Sequence, residues 1–167
     1  MSATAGCGAR APQGGSDDEG GKENKRRMEV ESTVQTYVAV AEVVYPTTLS
    51  GIETFVRSFI AARLDREERG TAMRDAVTEL QTVADEWYDS SFESLAPETR
   101  DSLLRELGVD EADEDPDGTV SARVRFYVVN ELLLALYSSP TGGELVGIEN
   151  PQGHPGGTDT YQRGPSR

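Results

Sequence analysis

From Glu31 onward, apolar residues recur every three or four positions. Val34, Tyr37, Val38, Ala41 and Val44 fall on one face of a predicted helix that Pro46 stops. Ile52, Phe55, Val56, Phe59, Ile60 and Leu64 predict a second one-sided helix, with Ser50 as its N-cap. The third is the clearest. Met73, Val77, Leu80, Ala84 and Trp87 form a single stripe widened by Val83, and Arg74, Asp75, Glu79 and Asp85 lie mostly away from it. After Pro97 a short helix carries Leu103, Leu104 and Leu107, and Gly108 suits its C-terminal stop. An acidic loop from Asp110 to Gly118 leads to the last helix, from about Val120 to Tyr137. That helix is amphipathic at first and apolar nearly all round from Phe126, which predicts a place at the centre of a bundle. Ser138-Ser139-Pro140 ends it.

The two ends of the chain lack such a pattern. Residues 1–30 are polar, charged and glycine-rich, too poor in bulky apolar groups to offset the entropy of ordering. Residues 140–167 are interrupted by glycine and proline throughout, so no regular element fits them. No strand alternation and no internal repeat stands out. The expected architecture is all-α: a disordered tail over 1–30, one bundle of about five helices over 31–139, and an irregular tail over 140–167. That last segment either binds a partner or wraps back over the bundle.

Charge narrows the list of partners. Acidic residues number 30 against 16 basic ones, a formal net charge of −14. Phosphates would be repelled, so neither nucleic acid nor an anionic membrane surface fits as partner. Lysine occurs only at Lys22 and Lys25; the remaining basic residues are arginine. An acidic, lysine-poor surface suits a protein that works in high salt, where the Debye length shrinks to about 3 Å and mutes self-repulsion. No apolar run reaches the roughly 18 residues of a membrane span.

Candidate chemistry is sparse. One cysteine, Cys7, and one histidine, His154, exclude a multi-thiolate or multi-histidine metal centre. Cofactor motifs are missing: no nucleotide-binding glycine signature and no haem-attachment motif occurs, so no cofactor is expected in this chain. Asp113-x-Asp115-x-Asp117-Gly118 matches the opening of a calcium loop, but position 12 is Val124 instead of a bidentate glutamate, and Pro116 lies inside. It reads first as an acidic turn, and alternatively as a weak divalent-ion loop at 113–118 in a stand-alone acidic binding module. His154 sits in Gly153-His154-Pro155-Gly156-Gly157 with no nucleophile motif to serve. Asn130 and Glu131, inside the apolar last helix, read as groups that are internally hydrogen-bonded or face a seam, not as catalytic ones. Thr4-Ala5-Gly6-Cys7 is similar to the end of a lipoprotein signal, without the hydrophobic segment that precedes one.

The most distinctive stretch runs from Tyr137 to Tyr161, after a helix containing Asn130-Glu131-Leu132-Leu133. Over about residues 33–165 the chain resembles the gluconate 2-dehydrogenase subunit 3 family, most closely its versions from salt-loving archaea. Tyr137, Pro140, Gly142, Gly143, Gly153, Pro155 and Gly156 carry the likeness. His154 stands where the family usually has an aromatic residue. The resemblance implies a small non-catalytic subunit, with no catalytic, cofactor or metal residues of its own. It implies a large flavoprotein partner of the glucose–methanol–choline type, which would hold FAD, and often a multihaem cytochrome subunit. Partner contacts would fall on those seven residues together with His154 and Tyr161. Such subunits commonly help export the folded flavoprotein, which implies the extracytoplasmic face of the membrane if the true start lies upstream or Cys7 is lipidated, and the cytoplasm otherwise.

Overall fold

The computed structural model describes residues 17–147. Six helices and no strand occur among them, as the all-α reading expects. Helix α1 spans Asp17–Val44, α2 Ile52–Leu64, α3 Glu67–Tyr88 and α4 Pro97–Glu106. Helix α5 is continuous but not uniform: Val120–Val124, a π-helical turn over Arg125–Val129, then Asn130–Ser138. A short α6, Pro140–Leu145, follows at once. Helix α1 packs along α2 and touches α4 and the π-turn of α5, while α3 bridges α2 and α5.

The predicted stripes form the core. Val34, Tyr37, Val38 and Ala41 of α1 are buried against Phe55, Val56, Ile60 and Leu64 of α2 and Met73, Val77, Leu80 and Ala84 of α3. Val128, Val129, Leu132, Ala135 and Leu136 place the second half of α5 in the same core. Trp87 departs from its stripe; at 44 % exposure it stands at the open end of α3.

Three local expectations are corrected. Helix α1 begins at Asp17, so residues 17–30 are helical where the sequence predicts a polar tail. Lys25 pairs with Glu29 one turn on. Extending an already packed helix also avoids the cost of nucleation. Second, Ser50 does not cap α2; Gly51 occupies the N-cap at φ +76°, and no side chain caps that end. Third, residues 140–145 are helical despite two glycines. Ser139 caps α6 by accepting from the Gly142 amide at 3.0 Å, and Pro140 takes the first helical position, where its missing N–H costs nothing. Gly142 itself lies against the end of α5: a Cβ there would sit 2.4 Å from the Leu136 carbonyl oxygen. The residue that looked like a helix breaker is what allows α6 to pack. Gly108, at φ +80° just beyond α4, does end that helix as predicted.

Candidate functional site

The interior holds one carboxylate in an otherwise apolar stretch of helix. Glu131 is 1 % exposed and lies two residues past the π-turn of α5. Two arginines converge on it, positioned by the tight α2–α3 link. Gly70 makes that link possible, because a Cβ there would fall 2.2 Å from the Leu64 carbonyl oxygen. With α3 so close to the end of α2, Arg63 and Arg69 stand side by side. Arg63 Nε donates to Glu131 Oε2 at 2.7 Å, and Arg69 Nε donates to Oε1 at 2.7 Å. Each guanidinium also packs over aromatic faces: Arg63 over Phe59 at 5.4 Å, Arg69 over Phe126 at 5.6 Å and Tyr127 at 6.0 Å. Both carboxylate oxygens are engaged by the two guanidiniums.

Two tyrosines tie α1 to the same stretch of α5. Tyr37 donates its hydroxyl to the Tyr127 carbonyl at 2.6 Å, and Tyr45 to the Leu132 carbonyl at 2.6 Å. Burial pushes the Tyr37 hydroxyl well above the usual phenol range, helped by the nearby Glu131 charge; burial alone raises Tyr45. Both therefore stay protonated as donors.

A second polar network crosses the other side of the bundle. Gln81 Nε2 donates to Thr36 Oγ1 at 2.8 Å and to Glu93 Oε2 at 2.6 Å, and its Oε1 accepts from the Phe92 amide at 2.9 Å. Arg100 donates to Glu42 at 2.5 Å and to the Glu93 carbonyl at 2.7 Å. Sequence reasoning missed Arg100. The available signal was its position three and four residues before Leu103 and Leu104, on the buried face of α4.

The acidic loop is tied to α5. Asp115 Oδ1 accepts from the Asp117 amide at 2.9 Å, Arg123 donates to the Gly118 carbonyl at 2.6 Å, and Asn130 bonds Glu114. Arg123 is held in turn by Glu79 of α3, Nε to Oε2 at 3.0 Å. Asp113, Asp115 and Asp117 are all exposed, and no acidic, histidine or cysteine cluster among the described residues is arranged to hold a metal ion.

Of the residues expected to meet a partner, Tyr137 is 57 % exposed and Pro140 is exposed. Gly142 and Gly143 are buried within the chain itself, Gly142 against the end of α5. Gly153, His154, Pro155, Gly156 and Tyr161, like Cys7, lie outside the described residues. Leu134, 44 % exposed, joins Tyr137 one turn away on α5; it was not among the expected contacts. No described helix is long and apolar enough to cross a membrane.

Nothing matches the chain among curated proteins or among solved structures. The profile of the family described as gluconate 2-dehydrogenase subunit 3 does match, over residues 31–156. The matched span takes in the packed part of α1, all of α2 to α6, both polar networks and the exposed pair Leu134 and Tyr137. The chain belongs to the gluconate 2-dehydrogenase subunit 3 family, whose members are subunits of a gluconate dehydrogenase complex.

Proposed function

We propose that this chain is a non-catalytic accessory subunit of a flavin-dependent gluconate or sugar dehydrogenase. It assists assembly, stability or export of a large flavoprotein subunit of the glucose–methanol–choline type, which holds the FAD. The observation that carries this reading is the family match across residues 31–156. The interior supports it. Glu131, Arg63, Arg69, Gln81 and Arg100 each join one helix to another, so their polarity goes into holding the bundle together. The exposed Leu134 and Tyr137 on α5 suit a surface that another subunit covers. A cytochrome subunit completes the complex in this reading. If Cys7 carries a lipid, the complex sits at the extracytoplasmic face of the membrane.

The test is co-expression of the tagged chain with the large flavoprotein chain of its own complex, purified at high salt. The expected result is a stoichiometric pair with flavin absorbance, and a colourless protein when the tagged chain is expressed alone. A flavin or haem bound stoichiometrically by the chain alone, or no association with the flavoprotein, would overturn the reading.

A further inference from the structure

An apolar groove runs between the C-terminal end of α1, helix α4 and the π-turn of α5. Val43, Val44, Leu104, Val109, Val129 and Leu133 form its floor. Its rim is charged but unevenly satisfied. Arg105 donates to Asp101 at 2.8 Å and faces Asp110 at 3.7 Å. Arg125, half-buried on the opposite rim, has no hydrogen-bonding or ion-pair partner for its guanidinium among the described residues. Arg66, which also has no side-chain partner among the described residues, is exposed in the α2–α3 link, whereas Arg125 is half-buried and lines an apolar surface. Arg125 and Val129 are also the two ends of the π-turn, and both line the groove. Such turns are frequent at functional sites because the extra residue re-aims the side chains around it. The apolar surface continues along α5 from Leu133 to the exposed Tyr137, one turn further on.

We propose that this groove seats one amphipathic helix of the flavoprotein subunit, with apolar side chains against Leu104 and Leu133 and a carboxylate paired with Arg125. The inference rests on the accessory-subunit reading above. Helices recognised in this way bury an i, i+3/i+4 apolar stripe and fix their register by a polar contact at the edge. Arg105 is already matched, so the free cation that sets the register is Arg125. The carboxylates at Asp101 and Asp110 turn away a nucleic-acid backbone. The chain's own Ile148-Glu149 is the nearest competitor in composition. It lies outside the described residues, and deletion of residues 148–167 is one arm of the test below.

The experiment uses the full chain and the purified flavoprotein chain, with affinity measured at constant high salt. Arg125→Glu and Leu133→Gln should each weaken binding by roughly tenfold or more, since a reversed charge or a polar group at a seated contact raises dissociation. Arg66→Glu makes the same change in net charge at an exposed arginine in the α2–α3 link, and should bind as the natural chain does. Circular dichroism melting confirms that each variant is folded. If Leu133→Gln unfolds, Arg125→Met, which keeps the aliphatic stem and removes the charge, supplies the second reading and should also weaken binding. Undiminished binding by folded Arg125→Glu overturns the proposal while leaving the accessory-subunit reading intact. So does a deletion of residues 148–167 that raises affinity while Arg125→Glu has no effect, because the groove then belongs to the chain's own tail. A dimer in sedimentation velocity that Arg125→Glu dissolves would assign the groove to a second copy. Failure of the natural chain to bind the flavoprotein removes both the groove proposal and the reading beneath it.

Discussion

Replacing Glu131 by glutamine should be among the most destabilising conservative changes in the chain. The amide keeps the shape and one acceptor but removes the charge that two guanidiniums share. Glu131 is 1 % exposed, and the Arg63 and Arg69 side chains are 17 % and 36 % exposed. Breaking one side of a fully buried ion pair costs about 3–5 kcal/mol. Arg69 can turn part of its charge towards water, which lowers the figure to roughly 2–3 kcal/mol. For a domain of this size that is a fall in melting temperature of about 6–12 °C. Arg69→Met should cost less, about 1 kcal/mol, because Arg63 still neutralises the carboxylate. Urea unfolding of Glu131→Gln, Arg63→Met and Arg69→Met, read from midpoints at unchanged slope, gives the order. Glu131→Gln within about 0.5 kcal/mol of the natural chain would refute the claim that this cluster holds α2, α3 and α5 together.

Gly142→Ala should lift α6 from the end of α5, since its Cβ would meet the Leu136 and Ala135 carbonyl oxygens at 2.4 and 2.5 Å. Accelerated amide hydrogen exchange confined to 141–147, at a cost of about 1–3 kcal/mol, is expected; unchanged exchange there would count against it. Stability should hold up to about pH 10 and fall above it, because Tyr37 and Tyr45 keep protons in the folded state that the unfolded chain releases near that pH. Urea midpoints measured from neutral to strongly alkaline pH check this, and Tyr37→Phe should flatten the decline. Melting temperature should rise from low to molar potassium chloride, as screening relieves the repulsion of a net charge of −14; a decrease would contradict the electrostatic argument.

The helices were legible where burial sets a period. The stripes on α2 and α3 and the apolar half of α5 reappear as core almost residue for residue, because packing demands that spacing. Helix ends were less legible, since a cap or a continuation is decided by few groups. Residues 17–30 have no apolar face to reveal them, and their helix depends on the packed turns that follow. Gly142 read as a breaker because composition cannot show which glycine is pressed against a carbonyl. The polar interior was half legible. Glu131 announced itself as a charge among leucines, but nothing in the spacing of Arg63 and Arg69 reveals that a turn built on Gly70 brings both to it. The groove was invisible, because its walls come from three helices distant in sequence and Arg125 looks like any surface arginine.

Helix α1 has one further consequence. Every residue from Gly20 to Glu29 is exposed, and Gly20 and Gly21 have no neighbouring atoms where a side chain would begin. The helix therefore leaves the bundle as a projecting arm, and the 9 residues from Asp17 to Lys25 alone add about 13 Å of reach. With Gly20 to Glu29 exposed, that arm is held mainly by local propensity and by propagation from the turns that are packed. Two adjacent glycines cost about 1 kcal/mol each against alanine, so the arm melts from its tip inward. Its amides should exchange in a gradient, fastest near Asp17 and slowing steadily towards Val34, and a partner that grips the arm would show itself by levelling that gradient.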